Sequence, residues 1–135
     1  MNILKKCGLS FLCVYKHRYA VLWTIVILIL TLVPAPGLNK LPLIPIPHFD
    51  KLVHFGLFGI LSAIILVETQ NYKAKTPFFI MLVWTTLLAA ATEMLQHWMH
   101  AGRTADLVDF IAGMAGSFAS TGWYYGFFPG IQPDS

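Results

Sequence analysis

Long apolar runs alternate with short polar connections along the chain, and each run has roughly the length of a membrane-spanning helix. The pattern predicts spans over about residues 15–33, 51–68, 77–98 and 105–127, because about 20 mainly apolar residues are needed to cross the hydrocarbon core of a bilayer. The sequence therefore predicts an all-α fold: a polytopic membrane protein with a bundle of four transmembrane helices, forming one domain over residues 1–135.

Prolines, a glycine and an acidic residue mark the ends of these helices. Residues 34–48 include five prolines, so this connection cannot be helical and is expected to run extended along the membrane surface. Asp50 is expected at or just inside the start of the second helix, where a carboxylate meets the positive end of the helix dipole. Pro77 suits the first turn of the third helix, and Gly102 marks the break before the fourth.

A cleaved signal peptide is the alternative interpretation of the first apolar run. Small residues near Ala35 would suit a signal peptidase. However, Pro36 follows that point directly, and positive charges continue as far as Arg18, and neither feature suits a signal peptide. We therefore expect this run to be the first span.

The composition excludes several classes of protein. The sequence is 57% hydrophobic and 11% charged, and a soluble domain of 135 residues could not bury so much apolar surface. The net charge of +3 does not indicate nucleic-acid binding, because Lys and Arg flank the apolar runs and form no basic face. Cys7 and Cys13 fall on the side of the membrane that is expected to be reducing, so no disulfide is predicted.

The distribution of Lys and Arg predicts the orientation of the bundle. With the N-terminus in the cytoplasm, six of these residues lie on the inner side and three on the outer side. The inner six are Lys5, Lys6, Lys16, Arg18, Lys73 and Lys75, and the outer three are Lys40, Lys51 and Arg103. Because positive residues are enriched in cytoplasmic connections, both termini are predicted to be cytoplasmic.

This topology brings polar residues from three separate regions to the outer side. They lie at the ends of the second, third and fourth helices and include four of the six acids of the chain. The nine residues are Asp50, Lys51, His54, Glu93, Gln96, His97, Arg103, Asp106 and Asp109. Their convergence predicts one polar site at the outer end of the bundle.

Helical spacing places several of these residues on shared faces. Asp50 and His54 are four residues apart, so the carboxylate is expected to hold the tautomer of the imidazole. A second stripe lies on the fourth helix and consists of Asp106, Asp109, Gly113 and Gly116. Since small residues let a neighbouring helix approach closely, this stripe is expected to face the interior of the bundle.

Glu93 and Arg103 suggest the chemistry of the site. Glu93 follows an uncharged apolar stretch, so it is expected to be the most deeply placed acid on its helix and suits a general acid or base. Arg103 can hold a planar anion through two parallel hydrogen bonds, and its structural alternative is an ion pair with Glu93 or Asp109. Lys51 either contacts a ligand or extends to the membrane surface.

A metal site formed by His54, Glu93, Asp106 and Asp109 is conceivable. However, no close pair of His or Cys ligands supports it, and the neighbouring cations Lys51 and Arg103 oppose it. We therefore predict no metal and no cofactor.

Three pieces of the sequence resemble the VanZ-like family of small integral membrane proteins. They are Asp50-Lys51-Leu52-Val53-His54-Phe55 with Phe58 a turn later, Glu93-Met94-Leu95-Gln96, and Gly102-Arg103 leading to Asp109 and Gly116. The resemblance covers about residues 20–125, with Gly113 where the family often has an asparagine. It implies a multi-pass protein of the bacterial cytoplasmic membrane and cell envelope. The family takes its name from a member linked to low-level resistance to the glycopeptide antibiotic teicoplanin. The resemblance does not supply a biochemical mechanism.

Three functions are compatible with these observations. The first is binding of an anionic lipid head group, a lipid-linked cell-wall precursor or a glycopeptide-related ligand. Lys51, His54 and Arg103 would contact the anion. The residues expected to orient these groups or add ligand contacts are Glu93, Gln96, Asp106 and Asp109.

The second function is a membrane enzyme that uses Glu93, or the pair of Asp50 and His54, as acid or base on such a lipid. The third is a structural or partner-binding bundle, in which the polar residues only fix how the helices dock. The oligomeric state is not indicated by the sequence.

Overall fold

Four helices account for nearly all of the chain that the structure describes. The computed structural model describes residues 16–32, 49–71, 76–99 and 107–127. Its helices are α1 (Arg18–Leu32), α2 (Phe49–Thr69), α3 (Thr76–Met99) and α4 (Leu107–Phe127). The all-helical fold is confirmed for these residues. The predicted extended connection at 34–48 lies outside the described residues.

Two of the described helices are long and apolar enough to cross a membrane, judged by length and composition. The candidate segments are Asp50–Thr69 and Thr76–Trp98. α1 is also apolar, but its 15 residues give a helix of only about 22 Å at 1.5 Å per residue, which is shorter than a hydrocarbon core of about 30 Å.

Contacts between the helices establish an alternating up-and-down order. α1 and α2 are antiparallel, because Tyr19 N donates to Glu68 Oε1 at 2.9 Å and Trp23 Nε1 donates to the Leu57 carbonyl at 3.0 Å. α1 and α3 run in the same direction, since Gln96 Nε2 donates to the Thr31 carbonyl at 2.9 Å. Lys51 in the first turn of α2 lies 3.2 Å from Asp109 in the first turn of α4, so the starts of α2 and α4 share the end of the bundle at which α1 and α3 end.

α2 and α4 pack against each other most closely, through glycines on α4. A Cβ atom on Gly113 would lie 3.1 Å from the ring of Phe58, and one on Gly116 would lie 2.8 Å from the carbonyl carbon of Phe55. Asp109, Gly113 and Gly116 are all buried, so the predicted stripe does face the interior over its described part. Close packing of backbones is the expected consequence of small residues between membrane helices.

Several hydroxyl side chains are buried inside the bundle and need hydrogen-bond partners there. Many large apolar side chains lie on its outer surface. Buried hydroxyls bond to carbonyls of their own helices, as Ser62 does to Phe58 at 2.9 Å and Thr85 to Met81 at 2.8 Å. Such bonds satisfy a buried hydroxyl without a partner from another helix. Leu87 and Phe118 are among the exposed apolar residues, which suits a surface that faces lipid.

Glu68 forms a polar contact at the end of the bundle where α1 and α3 begin. The side chain of Glu68 is 9% exposed, and its Oε2 lies 3.6 Å from His17 Nδ1. Its other oxygen accepts the Tyr19 N–H in the first turn of α1, where backbone donors have no partner within the helix. Glu68 thus joins the end of α2 to the start of α1.

The first prediction concerns the contact between α2 and α4. Gly116→Ala is expected to lower the free energy of unfolding by about 1–3 kcal/mol, because the added methyl group would overlap the Phe55 carbonyl. Gly122→Ala is the matched control, since a Cβ there would meet nothing within 4 Å. That substitution should leave the free energy unchanged or raise it by up to about 1 kcal/mol, the usual advantage of Ala over Gly in a helix. Unfolding in mixed detergent micelles, followed by circular dichroism, measures both, and equal effects would contradict the packing.

Candidate functional site

An ion pair joins the first turns of α2 and α4. Lys51 Nζ donates to Asp109 Oδ1 at 3.2 Å. The two side chains differ in burial, because Lys51 is 27% exposed and Asp109 is 9% exposed. The pair follows from the parallel packing of the two helices, which places residues near 51 beside residues near 109. A buried carboxylate is thereby held next to a cation that reaches the surface of this end of the bundle.

His54 lies one turn deeper than Lys51 and is 2% exposed. Its Nδ1 is 3.1 Å from the carbonyl oxygen of Asp50, and its ring is nearly parallel to that of Phe58, with centroids 6.4 Å apart. Among the described residues, Nε2 is buried and has no hydrogen-bond partner. Because Nδ1 donates to the carbonyl, the neutral imidazole carries its lone pair on Nε2.

This arrangement corrects one expectation from the sequence. The tautomer of His54 was expected to be held by the carboxylate of Asp50, whereas the contact is to the Asp50 backbone carbonyl. The physical reason is the helix itself, because a side chain four residues along reaches back to the carbonyl that precedes it by one turn.

Asp50, His54 and Asp109 converge on one small region. One potential ligand atom from each residue lies within 4.8 Å of the other two. Asp50 is half-buried in the first turn of α2, and Asp109 is buried in the first turn of α4. Both helix starts present the positive end of a helix dipole, which stabilises carboxylates there.

The structure places the predicted residues of α3 differently. Gln96 is buried, and its Nε2 donates to the Thr31 carbonyl at the end of α1. It therefore joins α3 to α1 by satisfying a carbonyl in the last turn of α1. Glu93 is half-buried and is not a member of the group of Asp50, His54 and Asp109. His97 is exposed.

Arg103 and Asp106 lie outside the described residues, so their predicted roles remain predictions. The ring of Phe58, which stacks on His54 within the bundle, was not predicted as its neighbour from the sequence. The spacing along α2 could have identified it. His54 and Phe58 follow Asp50 by four and eight residues, so the three residues share one helix face.

The comparisons with known proteins support a family assignment and provide no closer relative. The model of the VanZ/LLP1 family matches residues 14–128, a range that includes all four helices. No curated protein and no solved structure matches the chain.

The second prediction concerns the ion pair. Lys51→Met is expected to lower the free energy of unfolding by about 3 kcal/mol, because it leaves a buried carboxylate without its cation. Asp109→Asn should cost less than about 1 kcal/mol, since the partly exposed lysine can turn toward water. The double variant Lys51→Met/Asp109→Asn should recover most of the loss. Unfolding in mixed micelles measures all three, and additive single effects would show that the two side chains are not coupled.

Proposed function

The chain belongs to the VanZ/LLP1 family, and on that premise we propose that it binds an anionic lipid head group at one end of its helical bundle. In this proposal the protein is a multi-pass protein of the bacterial cytoplasmic membrane, and all four helices cross the bilayer with both termini inside. The site formed by Lys51, His54 and Asp109 then lies at the outer leaflet. The ligand class is a lipid-linked phosphate or a related cell-envelope precursor.

The proposed orientation is supported by charge and by surface polarity. Six of the nine Lys and Arg residues of the chain fall on the side that the proposal makes cytoplasmic. Large apolar side chains such as Leu87 and Phe118 are exposed around the bundle, as they are on proteins surrounded by lipid. In an alternating bundle, the starts of α2 and α4 share the outer side.

The single observation that carries the binding proposal is the Lys51–Asp109 pair. An ammonium group has three N–H donors, so Lys51 can hold the Asp109 oxygen at 3.2 Å and also contact an oxygen of a ligand. The buried carboxylate fixes the position of the cation, and the exposure of Lys51, 27%, keeps it within reach of a head group. The helix starts beside it add positive potential, which favours phosphate.

Arg103 completes the proposed site from the connection before α4. Its guanidinium can hold two oxygens of a phosphate in parallel, which an ammonium cannot do. Asp109 and Asp106 would orient the cations, and Gln96 would contribute indirectly by fixing the end of α3 against α1. A site of this kind selects for negative charge and two accessible oxygens.

The third prediction tests the binding proposal. Purified protein in a maltoside detergent is titrated with phosphatidic acid and with phosphatidylcholine of the same acyl chains, and bound lipid is counted by native mass spectrometry. Phosphatidic acid should bind at least about tenfold more tightly, which corresponds to 1.4 kcal/mol. Lys51→Met/Asp109→Asn should remove most of this preference, because the cation is lost without leaving a buried carboxylate unpaired. Arg103→Lys should weaken it by losing the two-pronged contact.

Lys16→Met is the matched control, because it removes an exposed cation from the opposite end of the bundle. It should leave the preference for phosphatidic acid unchanged. Equal affinity of the wild type for the two lipids would contradict the proposal, and so would equal losses in the Lys16 and Lys51 variants. If the bound lipid is converted and Glu93→Gln stops conversion without weakening binding, the protein is instead an enzyme. If every variant only lowers the folded yield, the cluster is structural.

A further inference from the structure

The group formed by Asp50, His54 and Asp109 has a composition that goes beyond the binding of an anion. It contains two carboxylates and one imidazole, and one potential ligand atom from each lies within 4.8 Å of the others. Two of the residues come from one face of α2, four residues apart, and the third from the adjacent start of α4. Two acids this close together repel each other unless positive charge lies between or beside them.

The buried histidine is an independent observation that points to a ligand. His54 is 2% exposed, and no described residue donates to or accepts from its Nε2. A buried polar atom without a partner costs free energy, and the apolar ring of Phe58 beside it offers no hydrogen bond. A cation bound at Nε2 would satisfy this atom.

The other nitrogen of the same ring is arranged as it is in metal-binding histidines. Nδ1 lies 3.1 Å from the Asp50 carbonyl, so its N–H donates to a backbone oxygen. Histidines that bind a metal commonly donate their second N–H to a carbonyl or carboxylate, which fixes the tautomer and the orientation of the ring. The lone pair of the neutral ring is then on Nε2.

We propose that Asp50, His54 and Asp109 form a binding site for one divalent transition-metal cation of the Zn²⁺ or Mn²⁺ class. One imidazole nitrogen and two carboxylate oxygens suit these ions better than Mg²⁺ or Ca²⁺, which prefer oxygen ligands alone. Ligand atoms around a tetrahedral zinc lie about 3.3 Å apart, given bonds of about 2.0 Å. The three ligand atoms lie within 4.8 Å of one another, so the side chains would have to draw closer together on binding.

Lys51 is the group that competes with the cation. Its ammonium lies 3.2 Å from Asp109 Oδ1, so it weakens the attraction of the site for a second positive charge. It does not block the site, because a carboxylate has two oxygens and can accept from Lys51 and ligate a metal simultaneously. In the sequence, Lys51, Arg103 and the lack of a close pair of His or Cys ligands counted against a metal, whereas the structure adds Asp50 to the candidate ligands His54 and Asp109.

The fourth prediction uses Co²⁺ as a spectroscopic probe on tag-free full-length protein, purified in a maltoside detergent and freed of metal with a chelator. One Co²⁺ per chain should bind, with visible d–d absorption that differs from that of aqueous Co²⁺, and Zn²⁺ should displace it. His54→Gln and Asp109→Asn should each weaken binding at least about tenfold. Lys51→Met should tighten it about threefold or more, because the competing charge is gone.

His97→Gln is the matched control, since it removes an exposed histidine near the same end of the bundle and should leave Co²⁺ affinity unchanged. Equal losses in the His54 and His97 variants would show adventitious binding and overturn the proposal, as would weaker binding by folded Lys51→Met. Circular dichroism checks that each variant is folded. If the His54 or Asp109 variant is unfolded, Asp50→Asn replaces it, and this variant should also lose Co²⁺ binding. No lipid is present in this experiment, so its failure leaves the proposed head-group site standing.

Discussion

The close approach of α2 to α4 is the constraint on which the rest of the structure depends. It is possible because Gly113 and Gly116 present no side chain where Phe58 and the Phe55 carbonyl lie against them. A Cβ atom on Gly116 would overlap the Phe55 carbonyl, and one on Gly113 would press on the ring of Phe58, so larger residues at these positions would disturb the packing that brings the first turns together. The distance between Lys51 and Asp109, and the convergence of Asp50, His54 and Asp109, therefore rest on contacts one to two turns deeper in the bundle.

Polar side chains in the bundle are stabilised in two ways. Hydroxyls such as Ser62 and Thr85 bond to carbonyls one turn back in their own helices, so they need nothing from a neighbour. The ion pairs of Glu68 and of Asp109 lie at the two ends of the bundle, and each joins residues from distant parts of the chain. Ionic groups near the ends cost less free energy than groups buried at the centre of a membrane bundle.

The two proposals for the polar end rest on different atoms of the same cluster. Head-group binding relies on the ammonium of Lys51, which reaches the surface, and on Arg103. Cation binding relies on the buried Nε2 of His54 and on two carboxylates. Both depend on Asp109, which faces the lysine and the histidine from α4. A metal held there would also present positive charge toward a phosphate. Cation binding would therefore favour the binding of an anionic head group nearby.

The sequence by itself determined the four helices, since apolar runs of spanning length separated by polar or proline-rich connections permit little else. The alternation of short connections then fixed which helix ends share a side, and so predicted that Asp50, Lys51, His54 and Asp109 would meet. It could not determine their partners, because helical periodicity fixes the face of a residue on its own helix but not the rotation of one helix against another. Only packing decided that Lys51 pairs with Asp109, that Gln96 binds the Thr31 carbonyl, and that His54 Nε2 is buried without a partner from the described chain.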